Sequence, residues 1–88
     1  MDLPIIHMPA KHRFELLMEG QTAYIEYNTF EGGFDLAHTY VPKELEGRGI
    51  AAALVKKALR YAHDHHWQVK ASCPYVSAYL QRHPEEDL

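Results

Sequence analysis

Residues 38–51 read HTYVPKELEGRGIA, and this stretch decides the fold because two different hydrophobic patterns meet in it. The alternating residues that lead into its start are typical of a β-strand, which Pro42 ends because proline donates no hydrogen bond to a ladder. From Ile50 onward, apolar residues recur at the three- and four-residue spacing of an α-helix. Between them, Gly47 and Gly49 permit a tight turn. The stretch therefore predicts a strand end, a glycine turn and a helix start in immediate succession.

Three strands are predicted up to this point, at Arg13–Met18, Thr22–Asn28 and Phe34–Val41. Turns at 19–21 and 31–33 join them as antiparallel neighbours, since both contain residues that tolerate a positive φ. Residues 1–11 contain two prolines and are expected to be irregular. Unbroken alternation of the third strand places Phe34, Leu36, His38 and Tyr40 on one face, and Asp35, Ala37, Thr39 and Val41 on the other.

After the glycine turn we predict a helix from Ile50 to about His65 or His66, a strand at Trp67–Ala71 and a helix at Tyr75–Arg82. A strand–helix–strand crossover makes its two strands parallel, so Trp67–Ala71 is expected beside the third strand. The order β-β-β-α-β-α is a mixed α+β fold with an antiparallel sheet that ends in one parallel strand pair. Pro84 is expected to end the last helix, and residues 85–87 to form a solvated acidic tail.

Length and composition limit the number of domains, the partners and the compartment that can be expected. The 88 residues predict a single domain over 1–88. A net charge of −3 gives no electrostatic reason to expect nucleic acid as a partner. The longest apolar run, Ile50–Val55, is far shorter than the roughly 20 residues of a membrane span, and no signal peptide is expected. Cys73 is the single cysteine, which excludes an internal disulfide and favours a reducing compartment, the cytoplasm.

The glycine turn is also the clearest candidate binding site. A turn at the start of a helix aims backbone N–H groups outward, and the helix dipole adds partial positive charge. Residues 45–51 therefore favour an anion, most naturally a phosphate or pyrophosphate, although a plain glycine turn that caps a helix explains the same residues. The stretch is neither a Walker loop, which needs Gly-Lys-Ser/Thr, nor a dinucleotide fingerprint, which needs a third glycine.

Residues 38–51 resemble the acetyl-CoA motif of the GNAT acetyltransferase superfamily, and in particular that of its minimal, very short members. Residues 73–76, together with Tyr79 and residues 82–85, resemble the C-terminal signature of the same family. The resemblance covers roughly residues 13–88. It implies a truncated GNAT-like fold and an acetyl-CoA-dependent N-acetyltransferase that moves an acetyl group to an amine acceptor, either a small amine or a protein or peptide amine.

The resemblance also implies the cofactor site. The family signature is Gln/Arg-x-x-Gly-x-Gly/Ala, and here Glu46 stands where Gln or Arg is usual. Residues implied to bind acetyl-CoA are Val41, Glu46, Gly47, Arg48, Gly49, Ile50, Ala51 and Tyr75. Within this set the loop holds the pyrophosphate and Val41 pairs with the pantetheine. Arg48 or Lys43 is expected to offset the charge of Glu46. Tyr40 also replaces an acidic residue of the family.

In the implied fold, the third strand and Trp67–Ala71 separate at one end, and the thioester lies near their tips. This places His38 and Cys73 as the catalytic candidates. Either a Cys73 thiolate takes the acetyl group with His38 as base, or His38 deprotonates an amine that attacks the thioester directly and Cys73 shapes the pocket. A small buried thiol and a half-buried histidine bonded to backbone are the structural alternatives.

Other readings stay open. Residues 63–66, His-Asp-His-His, lack the converging ligands of a zinc site and fit an exposed helix C-terminus, so no metal is expected. A non-catalytic acyl-CoA-binding or sensing module on the same scaffold is the alternative function, and an interaction domain that keeps only the scaffold is a third. By comparison with the larger enzymes of the family it resembles, so short a chain is expected to leave the acceptor side open, which suits a large or exposed amine, or walls supplied by another chain. We expect a monomer or a weak homodimer, with no membrane partner.

Overall fold

The computed structural model describes residues 3–84, so the predicted acidic tail at 85–87 lies outside the described residues. The elements are β1 (Ile6–Met8), β2 (Arg13–Met18), β3 (Gln21–Phe30), β4 (Gly33–Tyr40), α1 (Ile50–Asp64), β5 (Gln68–Ala71) and α2 (Pro74–Arg82). The strands form one sheet in the order β1-β2-β3-β4-β5. Every neighbouring pair is antiparallel except β4 and β5, which are parallel. The mixed α+β architecture of the prediction is therefore confirmed.

β1 is the element that sequence reasoning missed. Residues 6–8 pair with the free edge of β2, with Ile6 opposite Glu15 and Met8 opposite Arg13. A 3-10 turn at Pro9–Lys11 then returns the chain to β2. A three-residue strand next to a proline is too short to show alternation, and it exists because β2 offers it unpaired backbone groups. The prediction of an irregular start was wrong for these residues.

One face of the sheet, which we call the inner face, carries the core. Its fully buried side chains on β2, β3 and β4 are Phe14, Leu16, Ala23, Ile25, Phe34 and Leu36. α1 lies across this face and buries Leu54, Val55, Ala58 and Ala62, which recur at the helical spacing that the sequence shows from Ile50 onward. Burying a leucine, valine or phenylalanine side chain contributes about 1.5–3 kcal/mol, so this face anchors α1. Within residues 3–84, neither helix has the length and apolarity that a membrane span requires.

A β-bulge interrupts β4 at Ala37. Leu36 pairs with Tyr27, and His38 pairs with Glu26. Because Tyr27 and Glu26 are consecutive in β3, Ala37 has no partner across the ladder. One extra residue in a strand reverses the alternation of every side chain that follows it.

The bulge changes which side chains of β4 face inward. Thr39 pairs with the buried Ile25, so it lies on the inner face. His38 and Tyr40 are exposed and lie on the opposite face, which we call the outer face. The prediction that His38 and Tyr40 share a face with Leu36 is therefore wrong, because it assumed unbroken alternation.

The parallel pair is short. β4 and β5 are in register from Gly33 to Leu36 on β4, and the last ladder-like contact is the Cys73 N–H donating to the Leu36 carbonyl at 3.0 Å. Pro74 then begins α2. Residues 37–40 of β4 and the following Val41, which together we call the open edge of β4, have no β5 partner within the described chain. The Thr39 N–H on this edge donates to the Cys73 sulfur. Backbone groups of a strand edge that have no such partner are available to a ligand.

Candidate active site

The turn before α1 is built on left-handed backbone. Gly47 has φ 80° and Gly49 has φ 75°, conformations that cost a residue with a Cβ roughly 1–2 kcal/mol. Gly49 is the N-cap of α1, and no side chain caps the helix. The Ala53 N–H donates to the Gly49 carbonyl at 3.1 Å, which is the first bond of the helix. The N–H groups of residues 50–52 therefore have no acceptor inside α1 and can bind an anion.

A cleft of about 350 Å³ lies at this helix end. Its lining is Val41, Leu45, Glu46, Gly47, Gly49, Ile50, Ala51, Ala52 and Tyr75. The structure thus brings together every residue predicted to bind the cofactor except Arg48, from the end of β4, the glycine turn and the start of α2. Leu45 also lines the cleft; it lies in the predicted anion-binding stretch 45–51 but not among the residues implied to bind the cofactor. Ala52 lines the cleft too, and sequence reasoning missed it because it reads as an ordinary apolar residue of the helix.

Arg48 is turned away from the cleft. Its guanidinium forms an ion pair with Glu19 in the β2–β3 turn, contacts the Met18 sulfur at 3.7 Å and reaches the Glu44 carbonyl at 3.5 Å. Hydrogen bonding and charge from Arg48 lower the pKa of the exposed Glu19 carboxyl. The expectation that Arg48 offsets Glu46 is not met in this structure, and within residues 3–84 the Glu46 carboxylate has no ion pair.

Cys73 lies directly before α2 and is buried, with 6% of its surface exposed. Its sulfur lies 3.6 Å from the Thr39 hydroxyl oxygen. Burial raises the pKa of the thiol, but hydrogen bonds from the backbone N–H groups of Val76 and Tyr75 and from Thr39 outweigh it, so the pKa lies below its ordinary value. A thiol stabilised in this way at a helix N-terminus is a better source of thiolate than a free cysteine.

His38 does not meet Cys73. It lies on the outer face, opposite Glu26 in the ladder, with its ring centroid 5.9 Å from that of Tyr24. Thr39 takes the position beside the sulfur that the alternating pattern assigned to His38. The bulge contains no glycine and leaves no mark in the sequence, so no sequence signal pointed to Thr39.

Two smaller arrangements complete the site and its surroundings. Asp35 accepts a hydrogen bond from the Ser72 N–H at 2.8 Å and another from the Ser72 hydroxyl at 2.5 Å, which positions the segment just before Cys73.

In the histidine run at residues 63–66, His65 Nδ1 lies 2.8 Å from the Tyr61 carbonyl oxygen. No group of three His, Cys, Asp or Glu side chains in the described part of the chain is placed to hold a metal ion.

The five-stranded, mostly antiparallel sheet with two helices is consistent with the truncated GNAT-like fold that the resemblance implies. A family model described as GCN5-related N-acetyl-transferase matches residues 13–88. The chain belongs to the GCN5-related N-acetyl-transferase family. This confirms the resemblance seen in the sequence and supports N-acetyl transfer as the general activity of the domain.

Part of the chain is also similar to curated proteins of vertebrates. Protein NATD1 of Gallus gallus is 38% identical over 50 residues, which cover 57% of this chain and 46% of that protein. Protein NATD1 of Homo sapiens is 38% identical over 50 residues, covering 57% and 44%. Protein NATD1 of Xenopus tropicalis is 36% identical over 50 residues, covering 57% and 46%. The aligned part of the chain spans about half the length of these relatives.

Proposed function

We propose that this chain is an acetyl-CoA-dependent N-acetyltransferase. The observation that carries the proposal is the cleft in which the unpaired N–H groups of residues 50–52 lie beside the open edge of β4. Backbone N–H groups at a helix start suit the diphosphate of coenzyme A. The backbone groups of an open strand edge suit the amides of its pantetheine arm, which can pair with Val41. Tyr75 closes the cleft on the α2 side.

Acetyl transfer to an amine needs a nucleophile at the thioester carbonyl carbon. In the route that we propose, the Cys73 thiolate attacks that carbon, the bond from carbon to the CoA sulfur breaks, and CoA leaves as a thiolate. The amine nitrogen then attacks acetyl-Cys73, and the bond from carbon to Sγ breaks. The amine loses one proton and the CoA thiolate gains one. The lowered pKa of Cys73 favours this route over direct attack by the amine on acetyl-CoA.

The two sides of the open edge then have different tasks. Thr39 and the first N–H groups of α2 stabilise the Cys73 thiolate on the inner side, so His38 is not needed to activate it. We propose His38, on the outer side, as the base that takes the proton of the incoming amine. Transfer through acetyl-Cys73 needs a reduced thiol, which fits the proposed cytoplasmic location.

The direct test mixes the purified chain with acetyl-CoA and a panel of amines and lysine peptides, and follows the release of free CoA thiol. Release that depends on an amine supports the proposal. Binding of acetyl-CoA without release across the panel would identify the chain as an acyl-CoA-binding module instead. Failure to bind acetyl-CoA would overturn both functions.

A second measurement separates the two chemical routes. Incubation with acetyl-CoA and no amine, followed by peptide mass spectrometry, should find one acetyl group on the peptide that contains Cys73. A Cys73→Ala variant that retains full turnover would exclude the acetyl-Cys73 intermediate and leave direct attack by the amine on acetyl-CoA. Lys57→Ala, an exposed change on α1 outside the cleft, is the matched control.

A further inference from the structure

The outer face of the sheet holds positive charges against aromatic rings. Arg13 Cζ lies 3.9 Å from the ring centroid of Tyr24, and Lys70 Nζ lies 4.6 Å from that of Phe30. Contacts of this kind are attractive because the face of an aromatic ring carries partial negative charge. Tyr40 is 45% exposed on the same face, and no cation within residues 3–84 covers its ring. On this face, two rings are therefore covered by the chain's own cations, and the Tyr40 ring is accessible.

The accessible ring belongs to a group that we call the outer aromatic patch, formed by Tyr24, His38 and Tyr40. The ring centroids of Tyr24 and Tyr40 are 5.5 Å apart, and those of Tyr24 and His38 are 5.9 Å apart. Thr39 lies between His38 and Tyr40 in β4, and its hydroxyl contacts the Cys73 sulfur on the inner side. The patch and the thiol thus lie on opposite faces of the same part of β4, with Thr39 between His38 and Tyr40 in the strand.

A carboxylate completes the patch. Glu26 pairs with His38 across the ladder, and its Oε2 accepts a hydrogen bond from Arg13 Nε at 2.8 Å. Its second oxygen, Oε1, has no hydrogen bond within the described residues. A free carboxylate oxygen beside exposed rings provides both the hydrogen-bond acceptor and the ring faces that an ammonium group prefers.

Glu26 also joins the patch to a groove of about 360 Å³. The groove runs between the turn at residues 10–12 and the strands, and its floor includes Glu26, Asn28 and the bulge residue Ala37. It is open to solvent and polar, so it suits the backbone of a peptide better than an isolated apolar ligand. The bulge that displaces His38 thus also borders the space next to the patch.

We propose that the outer aromatic patch binds the protonated side chain of a peptide lysine, which is the acceptor, while flanking residues lie in the groove. This inference rests on the proposed function for its chemistry. The ammonium group lies against Tyr40 and Glu26 and gives one proton to His38. The neutral nitrogen then attacks the carbonyl carbon of acetyl-Cys73 at the open edge, and the bond from that carbon to Sγ breaks. The nitrogen loses its second proton in this step, which balances the proton that the CoA thiolate takes up. A four-carbon stem lets a lysine amine pass from the outer face into that edge.

Binding is tested without catalysis. A lysine peptide titrated into the ¹⁵N-labelled chain, with no CoA present, should shift the amide signals of His38 and Tyr40. The same peptide with acetyl-lysine, which carries no charge, should bind more weakly by roughly 2- to 30-fold, the range expected for a cation at an aromatic ring. Equal binding of the two peptides, or shifts confined to other residues, would overturn the proposal. A small diamine that binds more tightly than the peptide would refute the peptide assignment.

The functional test compares Tyr40→Leu with Tyr40→Phe. The leucine variant should raise KM for the lysine peptide roughly 2- to 30-fold, with the Kd for acetyl-CoA unchanged, whereas the phenylalanine variant should stay close to wild type. Glu26→Gln should also raise KM for the peptide. A KM for the lysine peptide that Tyr40→Leu leaves unchanged, in a variant that still transfers acetyl groups, would overturn the inference and leave the proposed function standing. Peptide binding at the patch without acetyl transfer would leave the binding site standing and overturn the proposed function.

Discussion

The Thr39 hydroxyl oxygen lies 3.6 Å from the Cys73 sulfur, and this contact links the second half of β4 to the start of α2. It exists because the bulge at Ala37 turns Thr39 to the inner face. When Cys73 is a thiolate, the hydroxyl donates to it alongside the N–H groups of α2. The ease with which Cys73 ionises therefore depends on how β4 pairs with β3.

Replacing Thr39 by valine keeps the shape of the side chain and removes the hydroxyl. We expect the pKa of Cys73 to rise, because one of the groups that stabilise the thiolate is lost. The rate of alkylation by iodoacetamide at neutral pH should fall about 3- to 10-fold, consistent with a hydrogen bond worth about 1 kcal/mol. Thr39→Ser retains the hydroxyl and should keep the wild-type pH profile. A profile that Thr39→Val leaves unmoved would show that the contact has no effect on ionisation.

Gly49→Ala tests the turn that presents the N–H groups of α1. A Cβ at φ 75° is strained, so the turn should relax and the Kd for acetyl-CoA should rise about 5- to 30-fold. Gly20 has the same φ of 75° in the β2–β3 turn, outside the cleft. Gly20→Ala should lose similar thermal stability while keeping acetyl-CoA affinity, as measured by calorimetry. Equal losses of affinity in both variants would indicate a general effect of strain.

Glu46→Gln removes a negative charge from the cleft that is proposed to hold phosphates. We expect acetyl-CoA to bind about 2- to 5-fold more tightly, since a like charge at this range costs up to about 1 kcal/mol in water. The gain should shrink at high salt because exposed charges are screened. Glu44→Gln, in the same segment but outside the cleft, is the control. A gain of the same size in both variants would point to net charge alone.

His7 should make stability depend on pH. Its Nε2 lies 2.7 Å from the Tyr27 hydroxyl, and its ring stacks on Phe14. It also faces Tyr61 on α1 and His65, the residue that follows α1. Burial, with a smaller effect of His65, lowers the pKa of His7 from its ordinary value of 6.5.

As the pH falls, His7 is protonated at a higher pH in the unfolded chain than in the folded chain. The free energy of unfolding should therefore fall as the pH drops from about 6.5 to the pKa of His7 in the folded chain, and then level off. Thermal unfolding between pH 7.5 and about 5 measures this, and His7→Gln should flatten the dependence. His63→Gln changes an exposed histidine and should not. If the stability of His7→Gln depended on pH as steeply as that of the wild type, His7 would not be the cause of the dependence.

Most of the fold was predictable because it is encoded locally. The helix that starts at Ile50 and the strand that became β5 follow from periodicity, and the crossover between them requires a parallel pair. β1 escaped prediction because its three residues are a strand only in contact with β2. The cofactor residues were predictable for the same reason as the helix: most of them surround one cleft because they are near neighbours in the chain, around a single turn.

The sequence by itself determined the order of elements and the glycine turn at the head of α1, because side-chain periodicity and the tolerance of glycine for positive φ are properties of short segments. Only the tertiary structure decided which side of β4 carries Thr39 and which carries His38. That choice depends on one unpaired residue, Ala37, and therefore on the register between two strands. Arg48 is a similar case, since its pairing with Glu19 depends on two turns that are distant in sequence and meet in the folded chain.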